Sequence, residues 1–189
     1  MREIALPLTP QDTAALSVGE MVAISGTVFS GREAVLRHLY DGHAGEAETR
    51  GHFLFNGGPL VKRIGSKWSA TSVEPESLRT LEPILGELFG RCGFAGVIGA
   101  GGGERKVLNA CRRYGAVCLQ AAGGAGLALN ERVAAVKQPH FKDQFDGRDA
   151  LWELEFDGFP AVVTMDCAGR SLPEIVGDVS SRRFLGLAD

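Results

Sequence analysis

Arg32 is the residue whose type and position most favour binding chemistry. It stands at the start of a predicted helix, where the helix dipole disfavours a positive charge by about 0.3–1 kcal/mol. A bound carboxylate would offset this cost, because an arginine fork meets a carboxylate through two charge-assisted hydrogen bonds. A solvated surface arginine is the alternative, since exposed charges near helix ends are common. Arg32 is therefore a candidate acid-binding residue.

Glycine-rich turns provide a second kind of candidate. Gly57 and Gly58 follow a predicted buried strand, and Gly99 to Gly103 lie between a predicted strand and a predicted helix. Unpaired backbone N–H groups and a helix dipole can hold an anion at such a loop. We expect Gly58 and Gly101 to line an acid-binding pocket, although a simple turn explains the pattern equally well. The dinucleotide fingerprint is not matched, because Glu104 stands where its third glycine would fall.

Two hydroxyl side chains, Thr71 and Ser72, precede Pro75. They are suited to capping the helix predicted to begin there, and their hydroxyls could face a ligand instead. The histidines do not pair in sequence with a serine or cysteine, so a hydrolase triad has no support. Glu153 and Glu155 alternate with apolar residues and are predicted to lie on the solvent face of a strand.

The cysteines favour buried thiols and argue against a metal site held by this chain alone. They are widely spaced and lie in apolar surroundings, and the histidines do not supply the missing ligands at close spacing. The residues concerned are Cys92, Cys111, Cys118, Cys167, His38, His43, His52 and His140. We therefore expect no metal ligand among the residues of this chain.

Composition points to one globular domain over residues 1–189. The net charge of -3 gives no general attraction for nucleic acid or an anionic membrane. The sequence shows neither a secretory signal nor the roughly 20 apolar residues of a membrane span, so we expect a cytoplasmic protein.

The predicted helices and strands that position these residues indicate an α/β fold with strands of mixed direction. A hairpin is expected from Met21–Ile24 and Thr27–Phe29 around Gly26, followed by a helix with a Ser30/Glu33 capping box. FLFNGGP is a predicted buried strand and turn. A helix kinked at Pro83 is expected after Pro75.

The second half shows two strand, glycine loop and helix units, the first around Ile98 and the second around 117–120. Two further strands are predicted to join at Asp157 and Gly158. Residues 173–189 are expected to form a loosely ordered tail.

Four segments together resemble the C-terminal domain of class I (iron-sulfur) fumarases and the β subunit of L(+)-tartrate dehydratases. They are VGEMVAISGTVFSGREAVLRHL, FLFNGGP, IGAGGG with CLQAAGGAGLAL, and DALWELEFDGFPAVVTMDCAG. The resemblance covers the chain from about Leu6 to Leu172, and the last segment is its most specific part.

This resemblance implies a swivelling β/β/α domain with a mixed sheet and flanking helices. In such a hydro-lyase (a lyase), this half orients a small carboxylate substrate, while an iron-sulfur cluster is carried by an α-type subunit. The resemblance thus implies an α partner and an oligomer, and no cofactor bound by this chain alone. It assigns Arg32 to substrate binding, with Gly58, Thr71, Ser72 and Gly101 around it, and it identifies no catalytic residue.

Three positions that are catalytic or substrate-binding in the family depart from its pattern. The proposed catalytic-base threonine falls at Ala70, a second substrate-binding arginine falls at Glu74, and the lysine of a glycine loop falls at Ala100. Each lost charge-assisted contact is worth about 1.5–3 kcal/mol. We therefore expect a divergent member, acting on a less anionic hydroxy acid or serving as a catalytically silent carboxylate-binding or regulatory module. A stand-alone nucleotide-binding domain is a third hypothesis.

Overall fold

The fold is built on one mixed β-sheet flanked by short helices, which confirms the α/β prediction. The computed structural model describes residues 1–43, 47–101, 103–121 and 129–184. The strands are β1 Arg2–Ala5, β2 Met21–Gly31, β3 Phe53–Asn56, β4 Leu60–Ile64, β5 Lys67–Ser72, β6 Gly96–Gly99, β7 Val117–Ala121, β8 Val133–His140 and β9 Leu151–Met165. The α-helices whose bounds lie within the described residues are α1 Pro10–Ala14, α2 Glu33–Tyr40, α3 Leu85–Glu87, α4 Arg105–Tyr114 and α5 Leu172–Phe184.

The sheet closes on itself around β9. Strands β1, β2, β3, β6 and β7 run parallel to one another in that order. β9 runs antiparallel to both β2 and β7, so β2, β3, β6, β7 and β9 form a ring. Strands β8, β5 and β4 extend the sheet from β9. Because these strands are parallel, their carboxyl ends all lie at one edge of the sheet, where the candidate site is found.

The predicted hairpin at Gly26 and the predicted turn at Gly158 are both wrong. β2 and β9 are each continuous, and the two glycines lie in one irregularity where the register moves from Ile24↔Phe159 to Gly26↔Phe156. Both glycines have positive φ, +108° for Gly26 and +63° for Gly158. A glycine in this conformation permits a β-bulge as readily as a turn, which the sequence does not distinguish.

The helix predicted after Pro75 is also wrong. The chain forms a 3-10 turn over Leu78–Thr80, the short α3, and a π-helical turn over Leu88–Cys92. The apolar pattern behind the prediction is nevertheless used, because Leu78, Leu81, Leu85 and Leu88 are all buried. Pro83 separates the pieces, since proline lacks the N–H that a continuous helix requires.

Apolar side chains pack on both faces of the sheet. One cluster, with Trp152, Phe55 and Phe156 among its largest members, packs around the strands of the ring. The other packs under the helices and includes Leu36 of α2 and Cys111 of α4. Cys92, Cys111 and Cys118 are buried, as predicted, and Cys167 is half-buried.

Two further segments differ from expectation. Residues Leu60 to Ser72 form the β4–β5 hairpin, whose side chains are mostly exposed and so gave no clear apolar period. Residues 173–184 of the predicted tail lie in the helix α5, which buries none of its residues, and 185–189 lie outside the described residues. Among the described residues, no helix has the length and apolar character needed to cross a membrane.

Candidate functional site

The candidate site lies at the edge where the parallel strands end. Arg32 follows β2, Gly57 and Gly58 follow β3, and Ala100 and Gly101 follow β6. The register places Gly31 beside Asn56 and Phe55 beside Ile98, so these strand ends are neighbours. The structure thus brings Arg32, Gly58 and Gly101, which lie far apart in sequence, to one edge of the sheet.

Arg32 is the N-cap of α2, one residue before the helix proper. Its backbone is extended, with φ −98° and ψ 173°. The predicted capping box does not form, because the Ser30 hydroxyl donates to the Gly57 carbonyl oxygen at 2.7 Å and Glu33 pairs with Arg37. Ser30 therefore joins the ends of β2 and β3, and Arg32 projects from that junction.

The Arg32 guanidinium lies beside Glu76. Its Nε atom is 3.1 Å from Glu76 Oε1, and the two side chains are 28% and 43% exposed. The Nε atom is buried and has no hydrogen-bond partner among the described residues, so its N–H does not point at the carboxylate. The contact is an ion pair without a hydrogen bond, which leaves the guanidinium with unused donor capacity.

Gly58 makes the position of Arg32 possible. A Cβ atom on Gly58 would lie 2.7 Å from Arg32 Nε and 2.6 Å from the carbonyl oxygen of Arg148. Both separations are well below van der Waals contact, so a side chain at residue 58 would displace one arginine or the other. Glycine is therefore required at residue 58, because Arg32 Nε and the Arg148 carbonyl oxygen both lie close to its backbone.

Glu76 is held by the ends of two strands. Its N–H donates to Asn56 O at 2.6 Å, and its carbonyl oxygen accepts from Asn56 Nδ2 at 3.1 Å and from Ala100 N–H at 3.0 Å. Gly101 takes part through its carbonyl oxygen, which accepts from Leu78 N–H at 3.0 Å. Neither Asn56 nor Glu76 is among the site residues predicted from the sequence. A fully buried asparagine closing an apolar strand was the available signal for the first.

Thr71 and Ser72 lie on β5 and are not N-caps of a helix. The Thr71 hydroxyl donates to Leu60 O at 3.0 Å, across the β4–β5 hairpin. The Ser72 hydroxyl donates to Glu74 Oε1 at 3.3 Å. Neither of these hydrogen bonds involves Arg32, Gly58 or Gly101. Ser72 is connected to the edge through the short segment that leads to Glu76.

Comparison with known proteins decides the family. Residues 1–175 match the model of the family described as Fumarase C-terminus. The chain belongs to this family. The resemblance seen in the sequence is thereby confirmed.

Named relatives of this fumarase C-terminal domain fall into two groups. It is 32% identical over 169 residues to a putative fumarate hydratase class I of Geobacillus stearothermophilus, with 89% of this chain and 32% of that protein aligned. It is 27% identical over 174 residues to a putative L(+)-tartrate dehydratase subunit beta of Methanocaldococcus jannaschii, covering 89% of each. It is 23% identical over 171 residues to the L(+)-tartrate dehydratase subunit beta of Escherichia coli, covering 89% and 85%. The chain therefore spans about a third of the fumarate hydratase and most of each β subunit.

The three departures from the family pattern can be located in this domain. Ala100 is at the site, because its N–H donates to Glu76 O. Glu74 is next to it, because a Cβ on Gly57 would collide with the Glu74 carbonyl oxygen. Ala70 lies within β5, opposite Val61, and presents a methyl group. The edge thus carries the Glu76 carboxylate beside Arg32, and the backbone of Glu74 passes close to Gly57.

The thiols of this domain do not fit an iron-sulfur cluster. Cys111 and Cys118 are buried, with their sulfur atoms 3.7 Å apart. Their mutual hydrogen bond and burial raise the pKa of Cys118 well above its ordinary value, and burial raises the pKa of Cys92. Cluster ligation requires thiolates, so a raised pKa opposes it. Among the described residues, no group of three or more His, Cys, Asp or Glu side chains is arranged to hold a metal ion.

A second titratable cluster lies away from Arg32, in a cavity of about 360 Å³. His140 Nε2 is 2.6 Å from Glu153 Oε1, and these side chains are only 17% and 16% exposed. The solvent-face prediction for Glu153 is therefore wrong. Burial raises the pKa of Glu153, but hydrogen bonds from Gln138 and His140 and the charges of His140 and Lys137 outweigh it, so the net pKa is lowered. The cavity is lined by Thr27, Phe29, Glu48, His52, Gln138, His140 and Glu153.

Proposed function

We propose that this chain is the β-type, substrate-orienting half of a hydro-lyase of the fumarate hydratase and tartrate dehydratase type. The observation that carries the proposal is the position of the Arg32 guanidinium, which lies against Gly58 at the carboxyl edge of the parallel strands. Relatives named for these two activities support the reaction class. The substrate under this proposal is a small hydroxy acid, presented to Arg32 by a partner subunit.

Arg32 would bind a carboxylate of the substrate with its outer nitrogens. Its Nε side rests on Gly58 and Glu76, so the guanidinium plane is held in place before any ligand arrives. Preorganisation of this kind lowers the entropic cost of binding. The chain's own contribution to the reaction is then orientation of the acid, which is how a positioned group accelerates a reaction on another subunit.

An α-type subunit bearing an iron-sulfur cluster is the partner we propose. The resemblance implies this division, and the raised pKa of the buried thiols of Cys92 and Cys118 is consistent with a cluster held elsewhere. The swivelling β/β/α arrangement and an oligomer containing both subunits belong to the same proposal. A cytoplasmic location is part of the same proposal.

A catalytically silent acid-binding module is the second candidate. Ala70 favours it, because the resemblance places the catalytic-base threonine at this position and a methyl group cannot transfer a proton. The silent module would use Arg32 in the same way and would differ only in turnover.

Co-expression with an α-type subunit separates the two candidates. The complex is purified without oxygen and assayed for hydration of fumarate and for dehydration of malate and tartrate. An enzyme subunit predicts a stable complex with turnover that is lost in Arg32→Gln. Acid binding by the chain without turnover in the complex would support the silent module. The absence of both complex formation and acid binding would contradict the proposal.

A further inference from the structure

A cavity of about 500 Å³ lies at the amino ends of the parallel strands, the edge opposite to Arg32. Gly51 precedes β3, Gly93 precedes β6 and Gly115 precedes β7, and all three line the cavity. Hydrogen bonds join this edge, because Gly51 N–H donates to Gly93 O at 2.9 Å and Leu8 N–H donates to Gly51 O at 2.7 Å. The volume is within the range of small-molecule sites.

Aromatic rings and glycine backbone shape this cavity. Phe89 and Phe94 are buried in the core and line it, and Tyr114 lines it from the end of α4. A Cβ atom on Gly90 would lie 2.7 Å from Tyr114 Cε1, so the tyrosine ring lies directly against the glycine backbone. Aromatic surfaces of this kind favour a ligand with a planar, apolar body.

Arg50 makes the cavity positively charged. Of the described residues that line it, Arg50 alone carries a formal charge. Its guanidinium lies against Gly93, where an added Cβ atom would be 3.2 Å from Nη1 and 3.3 Å from Cζ. Arg50 has no ion-pair partner among the residues that the structure describes, although Glu48 lines an adjoining cavity with it. The guanidinium is therefore available to an anionic group of a ligand.

We propose that this cavity binds a small organic anion with a planar apolar body, such as an aromatic carboxylate. The ring of the ligand packs against Phe94 and Tyr114, and its carboxylate is bound by Arg50, whose planar fork suits a carboxylate. The site is separate from the Arg32 edge and does not depend on the proposed function. A small hydroxy acid without an apolar body gains little there, because the walls offer mainly apolar contact.

The test compares two ligands of nearly the same shape that differ in charge. Cinnamate and its neutral amide, cinnamamide, are titrated by calorimetry into wild type, Arg50→Gln and Ala14→Trp. Ala14 lines the cavity, so a tryptophan at this position fills part of it while Arg50 is kept. Arg182→Gln is the matched control, because Arg182 is exposed on α5 and is not among the described residues that line the cavity. Thermal melts of each variant verify folding.

We expect wild type to bind cinnamate about fivefold or more tightly than cinnamamide, and Arg50→Gln to remove this difference by weakening cinnamate alone. Ala14→Trp should weaken both ligands, and Arg182→Gln neither. If Ala14→Trp does not fold, the comparison of the two ligands in Arg50→Gln decides alone. The proposal is overturned if wild type binds neither ligand, or if cinnamate binds Arg50→Gln as tightly as wild type. Cinnamate binding that is lost in Arg32→Gln instead would place the ligand at the other edge and would also overturn it.

Discussion

Arg32 and Glu76 face each other across the carboxyl edge of the sheet, with Nε and Oε1 3.1 Å apart and no hydrogen bond between them. A carboxylate of the protein thus lies on the Nε side of the guanidinium, which leaves the outer nitrogens for a carboxylate of the ligand. Part-exposed ion pairs of this kind are weak, typically about 0–1 kcal/mol, so Glu76 reduces the attraction of Arg32 for an acid without abolishing it.

Replacing Glu76 by glutamine should strengthen acid binding. The change removes a negative charge beside Arg32 while the backbone contacts of residue 76 remain. We expect the Kd for L-malate to fall about two- to tenfold at low salt, with a smaller gain at high salt because of screening. Glu87→Gln is the matched control, since Glu87 pairs with Arg91 on a helix. Weaker binding in Glu76→Gln would show that Glu76 assists the ligand.

A single methyl group at residue 58 should disrupt the site. Gly58→Ala would bring Cβ to 2.6 Å from Arg148 O and 2.7 Å from Arg32 Nε, so at least one arginine must move. We expect malate affinity to fall about tenfold or more, by loss of a charge-assisted contact. Gly147→Ala is the control, because nothing lies within 4 Å of its added Cβ. Equal affinities in the two variants, measured by calorimetry, would contradict this account of Gly58.

Asp166, near the end of the segment DALWELEFDGFPAVVTMDCAG, should be a structural residue. It is fully buried and accepts from Val18 N–H at 3.2 Å, Arg170 N–H at 3.0 Å and Arg170 Nε at 2.7 Å. Asp166→Ala leaves these donors unpaired and should lower the free energy of unfolding by about 2–4 kcal/mol. Urea denaturation measures the change, and Asp178→Ala on the exposed helix α5 should cost little. A similar loss in both variants would refute the structural role.

Glu153 should make the domain sensitive to acid. Its pKa is lowered in the folded state from the ordinary value of 4.5, so the folded protein favours the ionised form. The resulting stability is present above the unfolded pKa and is lost as the pH falls below about 4.5 through the folded value. Over this pH range the Tm of Glu153→Gln should therefore fall by about 2 °C less than the Tm of wild type or of Glu131→Gln. Parallel Tm profiles for all three proteins would contradict the assignment.

Local patterns in the sequence predicted the buried elements well. FLFN is a buried strand, and the helix after Arg32 and the helix before Tyr114 both bury the expected apolar face. Gly26 and Gly158 misled the prediction, because a bulge and a turn need the same backbone freedom. The β4–β5 hairpin was not predicted, because its exposed residues show no alternation of apolar and polar side chains.

The candidate site was predictable only in part. Arg32, Gly58 and Gly101 each follow a strand, and parallel strands gather such residues at one edge. Glu76 and Arg148 lie in irregular segments that pass this edge. Such segments have no periodicity from which the neighbours of these two residues could be predicted. For the same reason the sequence could not show that the Thr71 hydroxyl is bonded within its hairpin.

The central claim, that Arg32 binds the carboxylate of an organic acid, can be tested by NMR of the arginine side chains. Because Arg32 Nε is buried, its N–H should exchange slowly enough with water to give a distinct ¹H–¹⁵N signal, assigned by its loss in Arg32→Lys. Titration with L-malate should shift this signal saturably, while the signal of Arg170 Nε, whose N–H donates to the buried Asp166 carboxylate, stays in place. An Arg32 signal that does not move at millimolar malate would contradict the claim.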